Sequence, residues 1–208
     1  MDYEVQQGDC LNSIAKVHGL LWTVIWNHPR NASLKAKRKD PNILYPGDVL
    51  FIPEKNLRIE SGETQQSHTF VLKDSSCKLK ITLLCNDKPR ASEPYRLTID
   101  GVVSQGQTNS SGSLEQTIEP DASVGHLSLT NVNEDYDLLL GHMDPITEIS
   151  GIQMRLQNLG FYIGERADGI MGPKTAGGVR AFQSKYGLKV DGIPGPKTQA
   201  KLKELYSC

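Results

Sequence analysis

The chain has 208 residues and a formal net charge of −1, with 38% hydrophobic and 23% charged residues. Two or three modules fit this length, because the commonest domains have about 100–150 residues. No apolar run approaches the roughly 20 residues that a membrane-spanning helix needs. We therefore expect several globular modules and no membrane span.

Charge is distributed unevenly along the chain. Residues 1–60 carry a net charge of +1, residues 61–147 carry −6 and residues 148–208 carry +4. The two ends are therefore the candidates for contact with an anionic polymer, and the middle is not. Solvated surface charge is the more ordinary explanation of the same values.

The first 60 residues show the signals of a strand, two helices and a second strand. Apolar residues at alternate positions precede a Gly-Asp turn, and apolar residues then recur at helical spacing. A Pro-Gly turn leads into an aliphatic strand that ends at a proline. The residues that carry these signals are Tyr3, Val5, Gly8, Asp9, Trp22, Ile25, Trp26, Pro46, Gly47 and Pro53. Their order predicts a βααβ module.

Two phrases of this segment resemble a LysM module. They are Tyr3-x-Val5-x-x-Gly8-Asp9-x-Leu11-x-x-Ile14-Ala15 and Leu44-x-Pro46-Gly47-x-x-Leu50-x-Ile52-Pro53, with Asn27 between them. The resemblance implies a shallow groove for N-acetylglucosamine-containing glycans, in which backbone N–H and C=O groups hold the acetamide. The glycan-binding candidates that it implies are Gly8, Asp9, Cys10 and Leu11 on one side and Asn42, Ile43 and Leu44 on the other.

The segment departs from the LysM pattern in two places. Cys10 stands where the family usually has Thr, which removes a good helix N-cap, and we expect Asp9 to cap the helix instead. The chain between Asn27 and Leu44 is long for the family and carries a basic run at Lys35, Lys37, Arg38 and Lys39. This run is either a solvated helical face or a contact for anionic groups of a wall.

Trp22 and Trp26 are four residues apart and so share one helical face. They could form a platform for sugar stacking, but a buried core stripe is the preferred interpretation, because a small two-helix layer needs one.

Residues 61–147 begin with a polar linker at residues 61–67. After it come short runs in which apolar and polar residues alternate. Seven short strands separated by turn residues predict a β-sandwich, with Asp100-Gly101 as a hairpin turn. The predicted strands are His68–Leu72, Lys78–Cys85, Tyr95–Ile99, Val102–Thr108, Ser113–Ile118, His126–Leu129 and Tyr136–Leu140.

The stretch from Pro94 to Ala122 resembles a β-module found beside wall-binding modules in proteins of type VI secretion and related contractile injection systems. The resemblance implies a spacer or docking domain, in which the Gly-x-Thr and Gly-x-Leu phrases form a strand, a turn and a strand. It implies no catalytic site there.

The C-terminal segment contains a repeated phrase. Residues 168–175 and 191–198 are identical at seven of eight positions, and each copy is an Asp-Gly turn followed by Gly-Pro. Proline is preorganised for the first position of a helix, so each copy predicts a helix start, at Pro173 and at Pro196. An earlier apolar stripe before Gly160 predicts one more helix, giving a small three-helix domain.

With Leu156-Gln157, Leu159-Gly160 and Phe182-Gln183 also in place, residues 148–208 resemble the bacterial peptidoglycan-binding three-helix domain. We predict a ligand groove beside the first repeat, formed by Asp168, Gly169, Thr175, Arg180, Gln183 and Tyr186. Asp168 is also a usual turn residue. Gly177-Gly178 departs from the family pattern, and two glycines inside a helix predict a close contact or a ligand approach there.

Residues for catalysis are sparse. The five histidines have no local partner typical of a zinc site, and His142-Met143-Asp144 is the nearest candidate. Phosphate-binding loops and nucleic-acid motifs are absent from the sequence. We therefore predict no catalytic residue, no metal and no cofactor, although the middle domain leaves a thiol hydrolase open through Cys77 or Cys85 with His68 or His126.

The sequence thus predicts a multidomain α+β protein with three parts: a LysM module at residues 1–60, a β-sandwich-like spacer or docking domain at 61–147 and a three-helix domain at 148–208. The expected function is non-catalytic peptidoglycan binding that tethers or targets a partner or particle to the bacterial cell wall. The alternatives are a delivered wall-active enzyme with a catalytic middle domain, and a structural adaptor of a contractile injection system or phage tail.

The expected partners are peptidoglycan or its fragments and, beyond these, an effector or secretion-apparatus protein. Nucleic acid is not expected. The N-terminus lacks the basic region and apolar core of a signal peptide. We expect synthesis in the bacterial cytoplasm and action at the periplasm or wall after delivery by a dedicated system or by lysis.

Overall fold

The computed structural model describes residues 1–56, 61–69 and 77–206. The chain divides into two compact units, one of Met1–Asn42 with Pro46–His142 and one of Ile43–Tyr45 with Met143–Cys208. Among the described residues, no helix has both the length and the apolar character that crossing a bilayer requires.

The N-terminal segment pairs two short strands around a group of helices. Strand β1 (Asp2–Glu4) lies antiparallel to β2 (Val49–Phe51), with Tyr3 opposite Leu50. Between them lie α1 (Leu11–Val17), α2 (Trp22–Trp26), a 3₁₀ turn (Pro29–Asn31) and α3 (Ala32–Arg38). The predicted order of elements is present, and the long stretch after Asn27 adds a third helix to the two that we expected.

Two buried polar groups hold the added helix to the strand pair. The Asn31 side chain donates to the carbonyls of Ile25 and Phe51 and accepts from the Phe51 N–H, all at 2.8 Å. Arg38 forms a two-point ion pair with Asp48, at 2.7 Å and 2.9 Å. Both side chains of this pair are buried, so its geometry has to compensate for lost hydration.

The basic run is therefore not one solvated face. Arg38 belongs to the interior, whereas Lys35 and Lys37 remain exposed. Trp26 is 5% exposed and lies in the core, while Trp22 is half-buried. The preferred interpretation of the tryptophans as a core stripe is thus confirmed for Trp26.

The middle segment forms two sheets that share one core. A four-stranded antiparallel sheet has the order β10-β9-β6-β7 and a two-stranded sheet pairs β3 with β8, while β4 and β5 form a separate hairpin. The strands are β3 (Cys77–Thr82), β4 (Leu84–Cys85), β5 (Lys88–Pro89), β6 (Pro94–Ile99), β7 (Val102–Gln107), β8 (Ser113–Ile118), β9 (Val124–Leu129) and β10 (Glu134–Leu139).

The core of this segment takes side chains from both sheets. Leu97 and Leu127 come from the larger sheet and Leu114 from the smaller, and Leu79 and Ile81 pack against them. This packing is that of a β-sandwich. The predicted hairpin at Asp100-Gly101 is confirmed, since Ile99 pairs directly with Val102.

One strand prediction differs from the structure, and another lies largely outside the described residues. The single strand expected at Lys78–Cys85 is divided into β3 and β4, because Leu83 bonds to Gly112 and Arg90 outside the ladder. The strand expected at His68–Leu72 falls largely on residues 70–72, which lie outside the described residues.

The C-terminal segment has three helices around one core. They are α4 (Ile149–Asn158), α5 (Pro173–Lys185) and α6 (Pro196–Leu205), and the last two begin at the prolines of the repeated phrase as predicted. The buried side chains at the centre are Ile146, Ile152, Leu156, Ile163, Val179, Phe182 and Leu202.

Candidate functional site

The first edge of the predicted glycan groove is a tightly bonded loop between β1 and α1. Gly8 adopts a positive φ of 94°, which a glycine accommodates at low cost. The Asp9 carboxylate accepts hydrogen bonds from the Tyr3 hydroxyl and the Gln6 N–H, both at 2.8 Å. Burial, together with this carboxylate, raises the pKa of Tyr3.

Cys10 caps the first helix itself, so our expectation that Asp9 would do so is wrong. The Cys10 sulfur accepts from the Ser13 N–H at 3.4 Å, and the Ser13 hydroxyl accepts from the Cys10 N–H at 3.0 Å. This reciprocal pair is a capping box built with a thiol. Asp9 is not available because its carboxylate is already bonded to Tyr3 and Gln6.

The backbone donors of this edge are engaged inside the N-terminal segment. The N–H groups of Asp9 and Leu11 donate to the carbonyls of Gln6 and Pro41, at 3.1 Å and 3.3 Å, and the Cys10 N–H donates to Ser13. Leu11 is fully buried, and Gly8, Asp9 and Cys10 are half-buried. Hence these amides are not open donors for an acetamide in this conformation.

The second edge contains one exposed candidate. Asn42 is exposed, its N–H donates to the Asp40 carboxylate at 2.9 Å and its side-chain oxygen accepts from Asn12 at 3.2 Å. Ile43 is half-buried and Leu44 is buried. The assignment of all seven residues to glycan binding stays a prediction.

In the C-terminal segment, a buried glutamine holds each copy of the repeated turn. The Gln153 amide nitrogen lies 2.8 Å from the Asp168 carboxylate and 2.8 Å from the Thr175 hydroxyl, and its oxygen accepts from Gly169 N–H at 2.8 Å. Hydrogen bonding, from Gln153 first and then from the Ile170 N–H, lowers the pKa of Asp168.

The second turn repeats the arrangement with Gln183. Its amide nitrogen lies 2.9 Å from the Asp191 carboxylate and 3.2 Å from the Thr198 hydroxyl, and its oxygen accepts from Asp191 N–H and Gly192 N–H. The backbone N–H of Ile193, followed by Gln183, lowers the pKa of Asp191. The two copies of the repeated phrase thus form the same turn twice, and a buried glutamine side chain holds each one.

The predicted C-terminal groove residues therefore fall into two groups. Thr175 and Gln183 are 2% and 1% exposed, and their side chains bond to turns rather than to solvent. Asp168, Gly169 and Arg180 are exposed and Tyr186 is half-buried. Sequence reasoning missed Gln153, because no local spacing connects it to a turn 15 residues further on.

Gly178 marks a close approach of the chain to α5. A Cβ atom at this position would lie 2.8 Å from the Tyr162 carbonyl oxygen and 2.8 Å from the Ile163 side chain, whereas one at Gly177 would meet nothing within 4 Å. The predicted close contact is therefore present at Gly178.

The described residues contain no group of three or more His, Cys, Asp and Glu side chains that could hold a metal ion. His142 instead lies beside Gln7, with 3.4 Å between its Nδ1 and the Gln7 Nε2. His126 lies between two carboxylates on the exposed face of β9 and β10, and its bond to Asp137 raises its pKa.

Two family models match the chain. Residues 3–53 match the LysM domain and residues 147–202 match the putative peptidoglycan binding domain. The chain therefore carries a LysM domain and a peptidoglycan-binding domain, and both are binding modules. Neither match extends into the β-sandwich, and the resemblance of that segment to type VI secretion modules is not confirmed. No curated protein and no solved structure matches the chain.

Proposed function

We propose that this protein is a non-catalytic peptidoglycan-binding protein that tethers or targets a partner or particle to the bacterial cell wall. The observation that carries the proposal is the presence of two different wall-binding domains on one chain, at residues 3–53 and 147–202. The division into domains at 1–60, 61–147 and 148–208 is part of the proposal. The β-sandwich and the three helices have separate apolar cores, and the helical core includes Ile146, just before the last boundary.

The LysM domain contributes the glycan site. Its ligand is an N-acetylglucosamine-containing strand, held by Asn42, Ile43 and Leu44 on one edge and by residues 8–11 on the other. The C-terminal domain contributes a second contact through Asp168, Gly169, Arg180 and Tyr186, with Arg180 as the cation for an acidic group of peptidoglycan. Its net charge of +4 favours such a group.

The middle domain is a spacer or docking part in this proposal. Its net charge is −6, so an anionic wall polymer would repel it. An effector or a secretion-apparatus protein is the kind of cargo that it would hold. Delivery to the periplasm or wall by a dedicated system or by lysis completes the proposal.

The test is co-sedimentation of the full chain with purified sacculi, followed by analysis of released muropeptides. We expect the protein in the pellet and no release of muropeptides above a protein-free control. Pelleting with release would show the delivered wall-active enzyme instead, and no pelleting would contradict wall binding. Copurification of a secretion-apparatus protein without pelleting would support the structural adaptor.

A further inference from the structure

Two segments of the β-sandwich contact the first edge of the LysM groove within the same compact unit. The first is residues 119–121, which follow β8. The Cys10 thiol lies 3.7 Å from the Pro120 carbonyl oxygen, and Lys16 of α1 lies 2.8 Å from the Glu119 carboxylate and 2.7 Å from the Asp121 carboxylate. Pro120 is buried.

The second segment is Gly141-His142, which follows β10. A Cβ atom on Gly141 would lie only 2.4 Å from the Gly8 carbonyl oxygen, so the two backbones are in direct contact. A Cβ atom on Gly8 would lie 3.2 Å from the His142 Nε2. Consequently two segments of the sandwich contact the loop of Gly8, Asp9 and Cys10.

These contacts occupy the surface that the glycan would use. The Gly8 carbonyl and the Cys10 side chain are the groups that residues 119–121 and 141–142 cover. We propose that the β-sandwich is a built-in cover over the first edge of the LysM groove, and that the Lys16 clamp to Glu119 and Asp121 controls access of glycan to this edge. This inference rests on the proposed glycan-binding function of the LysM domain.

The clamp is suited to release. Each of its side chains is at least 38% exposed, and exposed ion pairs are weak and sensitive to salt. The bonds to Asp121 and Glu119 raise the pKa of Lys16, and the bond to Lys16 lowers the pKa of Asp121. Because the ion pairs of the clamp are weak, we expect the cover to open without unfolding of either domain.

The test compares the full chain with its Lys16→Glu variant in binding a soluble tetramer of N-acetylglucosamine. The variant should bind roughly three- to tenfold more tightly, a range set by the strength of exposed ion pairs. Raising the salt from about 20 mM to about 500 mM should tighten binding by the wild-type protein. It should weaken binding by the variant, because salt there screens the repulsion between the introduced carboxylate and those of Glu119 and Asp121. The ligand is uncharged, so its own attraction to lysines does not contribute.

A matched control and a rescue variant accompany this comparison. Lys35→Glu makes the same charge change on an exposed lysine that bonds within the LysM segment, to Asn27 at 2.7 Å, and should leave the affinity unchanged. The triple variant Lys16→Glu, Glu119→Lys, Asp121→Lys restores opposite charges and should return the affinity towards the wild-type value.

Opening of the cover is also measured without any ligand, by alkylation of Cys10 with exposed Cys85 as the internal standard. The Lys16→Glu variant should alkylate Cys10 several times faster relative to Cys85. Unchanged affinity for the tetramer and unchanged alkylation of Cys10 in the variant would overturn the proposal of a cover. Weaker binding of the tetramer by the variant would also overturn it, because it would show that the sandwich completes the glycan site. Tetramer binding and sacculus pelleting separate the two proposals. A protein that binds the tetramer, with no gain of affinity in the variant, contradicts the cover alone. A full chain and a variant that both fail to bind the tetramer and to pellet contradict both proposals.

Discussion

The two adjacent glycines of α5, Gly177 and Gly178, have different surroundings. Neither Gly177 nor Gly178 has a positive φ, so the difference between them is one of space rather than of backbone strain. Gly178 lies against the backbone of Tyr162, whereas a Cβ atom added at Gly177 would meet nothing within 4 Å. A helix interior favours alanine over glycine by about 1 kcal/mol wherever the added methyl group fits.

Replacing each glycine by alanine should therefore change the stability in opposite directions. Gly177→Ala should raise the free energy of unfolding by about 0.5–1 kcal/mol, because it restricts the unfolded chain and meets no neighbour. Gly178→Ala should lower it by about 1–3 kcal/mol, because the segment at Tyr162-Ile163 must move. Chemical denaturation of the two variants measures both values, and a shift of the same sign in both would contradict the assigned contact.

In the C-terminal segment, a buried glutamine on one helix holds the turn that precedes the next helix. Gln183 of α5 holds the turn that precedes α6, and Gln153 of α4 holds the turn that precedes α5. Each glutamine satisfies both donors and acceptors of a turn in a buried position, where an unpaired polar group is costly. The structure thus gives Gln183 a structural task that the sequence resemblance did not indicate.

Gln183→Leu should lower the free energy of unfolding by about 2–4 kcal/mol, since it removes the acceptor of the buried Gly192 N–H and one of the two acceptors of the Asp191 N–H. The exposed neighbour Ser184→Ala serves as the matched control and should stay within about 0.5 kcal/mol of the wild type. Thermal and chemical unfolding measure the difference. If Gln183→Leu kept its stability and lost only wall binding, Gln183 would be a ligand contact and not a lock.

The elements that sequence predicts best are those with a local cause. The helix starts at Pro173 and Pro196 and the hairpin at Asp100-Gly101 follow from backbone preferences of a few adjacent residues. Other contacts depend on the tertiary structure, so no local sequence pattern predicts them. Examples are the buried ion pair of Arg38 with Asp48 and the hydrogen bond from Gln153 to Asp168.

The candidate site was less predictable than the fold for the same reason. The resemblance predicts which loop forms the first groove edge, and the structure adds that the N–H groups of Asp9, Cys10 and Leu11 are bonded internally and that the sandwich lies against this loop. Cys10 illustrates the limit well: the residue type suggested a lost cap, and the local geometry makes its sulfur the cap.

At the scale of the whole molecule, the account depends on two weak sites acting on one polymer. A shallow sugar groove buries little area, so each site alone should bind in the micromolar to millimolar range, about −4 to −8 kcal/mol. Linking the sites on one chain makes the second binding event intramolecular, which can raise the apparent affinity by about 10²–10⁴-fold. A continuous wall presents many copies of both ligands and so can occupy both sites at once, whereas we expect a single muropeptide to occupy one site at a time.

The most direct measurement is the apparent affinity of the full chain for intact sacculi, compared with its affinity for soluble muropeptides released from the same sacculi. We expect binding to intact sacculi to be at least about 100-fold tighter. The single variants Asn42→Ala and Arg180→Ala, each at an exposed candidate residue of one domain, should both remove most of that excess. Equal affinities for sacculi and muropeptides, with neither variant changing retention, would contradict the two-site account.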